Sequence, residues 1–280
     1  MRQELYQRGI LKEQDIGFKL EWGSEQAVLG LLDLIANREG IGDLLAEGTM
    51  RAGEKISGAS YYAMHVKGLE IPMADPRGRW STWTFGNLTN IRGGDHLRNR
   101  NPVENLRFNS EPNQYKYEKF GLGEDVFNKL DIPRNLKNEI FEGDNVNIPK
   151  MSKWAEDLIS VFNSVGICIR PPVLQTIGPK YIAQLFSALT GIDTSETEVM
   201  LAGERTWNMQ KLFNLRCGEK PQQSVYPARF YHEPLPGGPS AGRKLDYDKV
   251  QEVLQEYYQA RGWTKDGVPA AEKLKELNLG

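Results

Sequence analysis

The chain has 280 residues, with 35 Lys plus Arg against 37 Asp plus Glu, a formal net charge of −2 and a pI of about 6.0. That balance excludes the basic stripe of a general nucleic-acid binder, and no apolar run is long enough for a membrane span. Two cysteines without a CxxC pair exclude a disulfide framework, and the start at Met1 shows no signal-peptide core, so a reducing cytoplasm is expected.

Helical spacing predicts a helix over 25–38, with Val28, Leu31, Leu32 and Ile35 on one stripe, Ser24 as N-cap and Gly40 past its end. A short helix over about 43–55 follows, and extended pieces are expected near 65–72 and 225–231. Residues 152–163 carry Trp154, Leu158, Ile159 and Phe162 at helical intervals. The segment 179–190 repeats the pattern with Tyr181, Ile182, Leu185, Phe186 and Leu189, ending at Gly191. A capping box from Ser195 to Glu198 opens a long helix to about Arg216. Asp246 caps another, whose stripe is Val250, Val253, Leu254, Tyr257 and Tyr258, and a last helix spans about 270–277.

Strand patterns are scarce, so the fold class is mainly α. A break near residue 70 divides a helical part over 1–70 from another over 71–280. Two stretches, 68–102 and 219–244, do not read as helix. The second reads as a surface crossing. The first is rich in Gly, Pro, Asn and Arg, and a long ordered loop in a compact helical protein is usually functional.

Inside that loop, Asp75-Pro76-Arg77-Gly78 reads as a pinned turn. Arg92, Asp95, His96 and Arg98 then surround Gly93 and Gly94, a composition suited to an oxyanion or a polar heterocycle. A solvated ion-pair cluster has the same composition. Residues 163–168, Asn-Ser-Val-Gly-Ile-Cys, close a helix and set Cys168 beside a glycine turn. A lone thiol there can be core filler, a nucleophile, or one ligand of a centre completed elsewhere. Cys217 reads as incidental, His65 as a packed residue and His232 as part of a loop. No HExxH, P-loop or GxGxxG occurs, which removes the common zinc-hydrolase and nucleotide-fold readings.

Three blocks, His65–Gly78, Asn90–Arg98 and Asp157–Cys168, resemble in order and spacing the C-terminal half of the tungsten-containing aldehyde:ferredoxin oxidoreductases. Gly203–Arg216, Arg229–Pro236 and Tyr257–Trp263 extend the resemblance, which runs from near residue 4 to the end. It implies a two-part helical assembly, domains 2 and 3 of that family, covering a β-rich N-terminal domain. A tungsten bis-pterin cofactor and a [4Fe–4S] cluster lie between them in the family.

The resemblance further implies Cys168 as the cluster's fourth thiolate and His96 as an active-site histidine that assists proton movement. It implies Arg98 as a basic residue contacting the pterin, with Asn163 and Ile167 beside it, and gives Asp75 and Arg77 an architectural role. The family pattern has Asp where this chain has Asn163, and Leu where it has Ile167. An amide keeps the size and accepts one hydrogen bond, but loses the charge that holds a pterin N–H pair.

The family's N-terminal β domain, its CxxCxxxC triplet and its first Asp-x-x-Gly-Leu-Asp motif have no counterpart here. A [4Fe–4S] cluster takes four thiolates. The expectation is therefore an N-terminal partner half or subunit that holds both cofactors, with ferredoxin as electron acceptor for oxidation of aldehydes to carboxylic acids. The isolated chain would be inactive. Two other readings are a related tungsten enzyme reducing aromatic thioesters, with Trp80 to Phe85 lining its pocket, and a non-catalytic helical remnant or interaction module. A face left by the absent part predicts apolar exposure near 68–98 and 163–170, and hence a homo-oligomer.

Overall fold

The first helices are short because glycines and turns interrupt them early: α1 (Arg2–Gln7), α2 (Glu13–Ile16), α3 (Glu25–Asn37), α4 (Ile41–Ala46) and α5 (Thr49–Lys55). The computed structural model describes residues 2–72, 75–101, 117–119, 134–142, 145–170 and 177–280. Ser24 caps α3 by accepting a hydrogen bond from the Ala27 N–H, and Arg38, at φ 56°, turns the chain out of it. The single helix expected over 43–55 is two, split at Gly48, whose φ of 89° suits glycine alone. Leu5, Leu11, Ile16, Leu20, Ala27, Leu31 and Ala59 form a core of their own. The stripe expected on α3 is only partly covered: Leu31 is buried, whereas Val28 and Leu32 stand 49% and 57% exposed.

A hairpin follows, with β1 (His65–Val66) antiparallel to β2 (Leu69–Glu70). Its two-residue turn, Lys67–Gly68, has both φ angles positive, 51° and 84°, which matches the right-handed twist of the strands. The other expected strand, near 225–231, is instead partly helical, starting after Pro227. The 68–102 stretch also holds a helix, α6 (Thr82–Thr89), opened by a Ser81–Thr84 capping box. Thr82, Thr84, Asn87 and Thr89 are all buried, so α6 is covered all round and has no apolar stripe to read.

A small antiparallel sheet comprises β3 (Tyr117–Lys119), β4 (Phe141–Glu142) and β5 (Asn145–Asn147), ordered β3-β5-β4, with α7 (Arg134–Ile140) preceding β4. The helices α8 (Ile148–Val165), α9 (Pro179–Thr190) and α10 (Glu196–Arg216) then build the bundle. They are followed by α11 (Ala228–His232), α12 (Tyr247–Ala260) and α13 (Ala271–Glu276). Asn147, Ser195 and Asp246 cap α8, α10 and α12 with their side-chain oxygens.

Helix α8 is central, with α10 and α12 packed on it. A β-carbon at Gly203 would run into the Asp157 carbonyl, so glycine is what lets α10 approach so closely. Trp154, Leu158, Ile159 and Phe162 form one core with Ile182 and Val199. Trp80, Phe85, Trp207, Tyr226, Tyr257 and Trp263 form another.

Between α8 and α12 lies a fully buried ionic knot. Arg261 donates from Nη1 to Asp157 at 2.6 Å, from Nη2 to Glu156 at 2.6 Å, and from Nε to the Tyr257 hydroxyl at 2.9 Å. Glu156 also accepts from Thr89 and Tyr257, both at 2.6 Å. The Trp207 ring lies 5.0 Å from the guanidinium carbon, adding a cation–π contact. Burial raises the Glu156 carboxyl above its ordinary range despite these donors. Burial also works against the Arg261 charge, but Asp157, Tyr257 and Glu156 together outweigh it. No helix among the described residues is long and apolar enough to cross a membrane.

Candidate functional site

The end of α8 changes character abruptly. Everything from Trp154 to Phe162 is buried, and everything from Asn163 to Gly166 is exposed. Gly166, at φ 76°, reverses the chain, and the Gly166 and Ile167 N–H groups both return to the Phe162 carbonyl. Ile167 packs back on the core around Phe162, and the next residue, Cys168, is exposed with a free thiol. The turn therefore presents Asn163 and Cys168 outward on an anchored backbone. No group of three or more His, Cys, Asp or Glu among the described residues could hold a metal ion. Cys168 thus offers one exposed thiol, and no complete ligand set surrounds it among the described residues.

The Asn90–Arg98 loop is packed rather than solvated. The Gly94 N–H donates to the Val66 carbonyl at 3.0 Å, and a β-carbon at Gly93 or Gly94 would sit 2.6 Å from a hairpin carbonyl. The paired glycines thus dock the loop on β1 and β2. Asn90 holds the loop from both ends, accepting from the Arg92 N–H and donating to the Asp95 carbonyl. Asp95 pairs with Arg92 and accepts from the Leu97 N–H at 2.8 Å. The His96 ring lies against Trp83, centroids 4.4 Å apart. Arg98 donates to Gln210 Oε1 at 2.7 Å, and among the described residues no carboxylate pairs with it. Burial, then the nearby Arg92, lowers its pKa. The short turn Leu97–Asn99 packs against α8.

Two expectations resolve as packing. Arg77 clasps Asp75 and donates to the Glu233 carbonyl at 2.8 Å, which ties this turn to the chain after α11. Trp80 and Phe85 lie inside the core, and of that aromatic stretch Trp83 contacts His96. His65 is half-buried, with burial holding its pKa down, and His232 ends α11 stacked on Tyr61.

Sequence reasoning missed a cleft of about 750 Å³ between the hairpin turn, the Asn90–Arg98 loop and the end of α10. Lys67, Arg92, Arg98, Phe213, Cys217 and Glu219 line it. Cys217, read as incidental, is thus a wall residue. Lys67 Nζ donates to the Asn90 carbonyl at 3.1 Å and lies 3.3 Å from Glu219 Oε1, which Lys211 Nζ approaches to 2.7 Å. Burial pushes the Lys67 ammonium down to about 8, with Lys211 adding repulsion against the pull of Glu219. Burial also opposes the Glu219 charge, but Lys67 and Lys211 hold it low. The signal in the sequence was slight: a lysine where such turns usually take Asn or Asp.

The family description "Aldehyde ferredoxin oxidoreductase, domains 2 & 3" matches residues 1–279. The tungsten-containing aldehyde ferredoxin oxidoreductase of Pyrococcus horikoshii is 36% identical over 281 aligned residues, covering 99% of this chain and 41% of that protein. The WOR-like subunit of an aliphatic sulfonate oxidoreductase from Pyrococcus furiosus is 29% identical, with 38% of its length covered. Among solved structures, the active site complex BamBC of benzoyl coenzyme A reductase, in complex with 1,5-dienoyl-CoA, superposes with a TM-score of 0.70 at 22% identity. That match covers 99% of this chain and 42% of the other, and it shows a shared fold. The chain thus spans about two fifths of the length of the relatives it matches.

Proposed function

The chain belongs to the aldehyde ferredoxin oxidoreductase family, with the matching region being domains 2 and 3, and on that premise we propose that it forms the C-terminal, cofactor-covering part of a tungstopterin and [4Fe–4S] oxidoreductase. It works in the cytoplasm with an N-terminal partner half or subunit, oxidising aldehydes to carboxylic acids and passing electrons to ferredoxin. The observation that carries this reading is the exposed Cys168 thiol on the anchored turn after α8, with Asn163 exposed on the same turn.

In this reading Cys168 gives one thiolate to the cluster, while Asn163, the Ile167 backbone and Arg98 orient the pterin. The bound tungsten centre supplies the two-electron chemistry. His96, with its ring set against Trp83, holds and moves the proton. Aromatic thioester reduction is the second reading; with Trp80 and Phe85 in the core, Trp83, half-buried against His96, is the residue of that aromatic stretch that would line its pocket. Asn163, without the family's carboxylate, weakens pterin binding relative to an Asp at the same place.

The test is anaerobic co-expression with a partner carrying the CxxCxxxC triplet. The expected product is a brown complex containing tungsten and iron that reduces ferredoxin with an aldehyde. Cys168→Ser should leave the two chains paired but bleach the iron–sulfur absorbance. A colourless, metal-free pair from the unmodified chains would overturn the reading.

A further inference from the structure

Lys67 sits in the hairpin turn with its amine turned under the Asn90–Arg98 loop, donating to the Asn90 carbonyl and pairing with Glu219. It holds a left-handed backbone conformation, φ 51°, which costs a residue other than glycine about 1 kcal/mol or more. Its side chain is 8% exposed yet lines an open cleft. Two ammonium groups, Lys67 and Lys211, share Glu219 Oε1, while Glu219 Oε2 is buried with no hydrogen-bond partner. Arg98, on the same wall, has no carboxylate of its own among the described residues. The cleft thus holds an amine, an idle carboxylate oxygen and an unneutralised guanidinium.

We propose that, in the chain without a bound pterin, Lys67 is a nucleophilic amine that captures a small aldehyde or keto acid bearing a carboxylate, as an imine, with Arg98, which a pterin would otherwise engage, holding the carboxylate. The amine nitrogen attacks the carbonyl carbon, forming the N–C bond while the C=O π pair moves to oxygen. Glu219 Oε2 relays one proton from nitrogen to the alkoxide, giving the carbinolamine, then takes the second nitrogen proton and passes it to the hydroxyl, so water leaves and a neutral C=N remains. No oxidant or reductant enters. A desolvated lysine beside a second cation is an established way to obtain a neutral amine near neutral pH, and the depressed pKa of Lys67 agrees with it.

The test uses the 280-residue chain alone, without metal or partner. Glyoxylate is added with cyanoborohydride, which reduces the imine to a stable secondary amine, and peptide mapping locates the label. At pH 8 Lys67 should be labelled about tenfold faster, or more, than exposed lysines such as Lys19 and Lys244, because the cleft holds the aldehyde beside its amine. Propanal, which has no carboxylate, should label Lys67 more slowly, and Arg98→Gln should remove that difference. Glu219→Gln should slow both reagents, with circular dichroism confirming that each variant is folded. A Lys67 labelled no faster than the surface lysines overturns the site. Equal rates for the two aldehydes overturn the ligand class. Neither outcome depends on whether a cluster-bearing partner exists.

Discussion

Two of the buried ionic centres among the described residues, around Arg261 and around Lys67, are built on opposite plans. Around Arg261, every charged edge meets a partner: two carboxylates, a phenol, a backbone carbonyl and an aromatic face. Around Lys67, two ammonium groups compete for one carboxylate oxygen while the other oxygen goes unused. Buried polar groups are normally paired, because an unpaired one forfeits its hydration without return. A satisfied centre therefore points to structure, and an unsatisfied one to something that arrives from outside. The first sits between α8 and α12, sealed from solvent; the second opens into a cleft.

The largest effect should come from breaking the satisfied centre. Arg261→Ala leaves Glu156 buried without its cation and Asp157 with Lys153 alone, and a loss of about 3–5 kcal/mol is expected in denaturant unfolding. A loss below 1 kcal/mol would mean that the knot does not hold α8 to α12. The unsatisfied centre should betray itself by pH. Lys67 is depressed to about 8 in the folded chain, against an ordinary value near 10.5 when unfolded. Between those values the unfolded chain binds the extra proton, so stability contributed by this group rises with pH across the window and is lost again as pH falls towards 8. Relative to Lys67→Met, the unmodified chain should gain up to about 3 kcal/mol on going from pH 7 to pH 10.5. Glu219, Lys211 and Glu156 are the charged groups that act on Lys67, and all three are present in both proteins. A flat difference would show an ordinary surface-like lysine.

Neither centre was legible in the sequence, although most long helices were. Ser24, Ser195 and Asp246 announce α3, α10 and α12 because a cap is a local event, settled within three residues. The carboxylate partners of Arg261 lie 104 and 105 residues away, and no spacing rule reaches that far. α6 escaped notice because tertiary contacts bury its threonines and asparagine on every side. Periodicity also says which residues share a face, but not what covers it. The α9 stripe was correctly spaced, yet Tyr181, Leu185, Phe186 and Leu189 are exposed. Apolar exposure reaches Leu69, Leu97 and Val165, within the segments expected to show it, but much of it lies on α3, α9 and the end of α10. Of the candidate site, the Gly166 turn and the exposed thiol follow from local chemistry. The cleft needed three separate stretches of chain to meet.

The smallest effect on stability belongs to the residue with the largest proposed role. Cys168 lies past the last buried turn of α8, and its side chain is exposed, so Cys168→Ser removes little packing. Unfolding of the isolated chain should change by no more than about 0.5 kcal/mol, as for other surface substitutions. Ile167→Ala, one residue earlier, removes a side chain that packs on the core and should cost measurably more. Adjacent residues would then divide cleanly, one fixing the turn and the other facing outward for a partner. If Cys168→Ser instead destabilised the chain as much as Ile167→Ala, the thiol would be a packing group, and its place as an outward ligand would be lost.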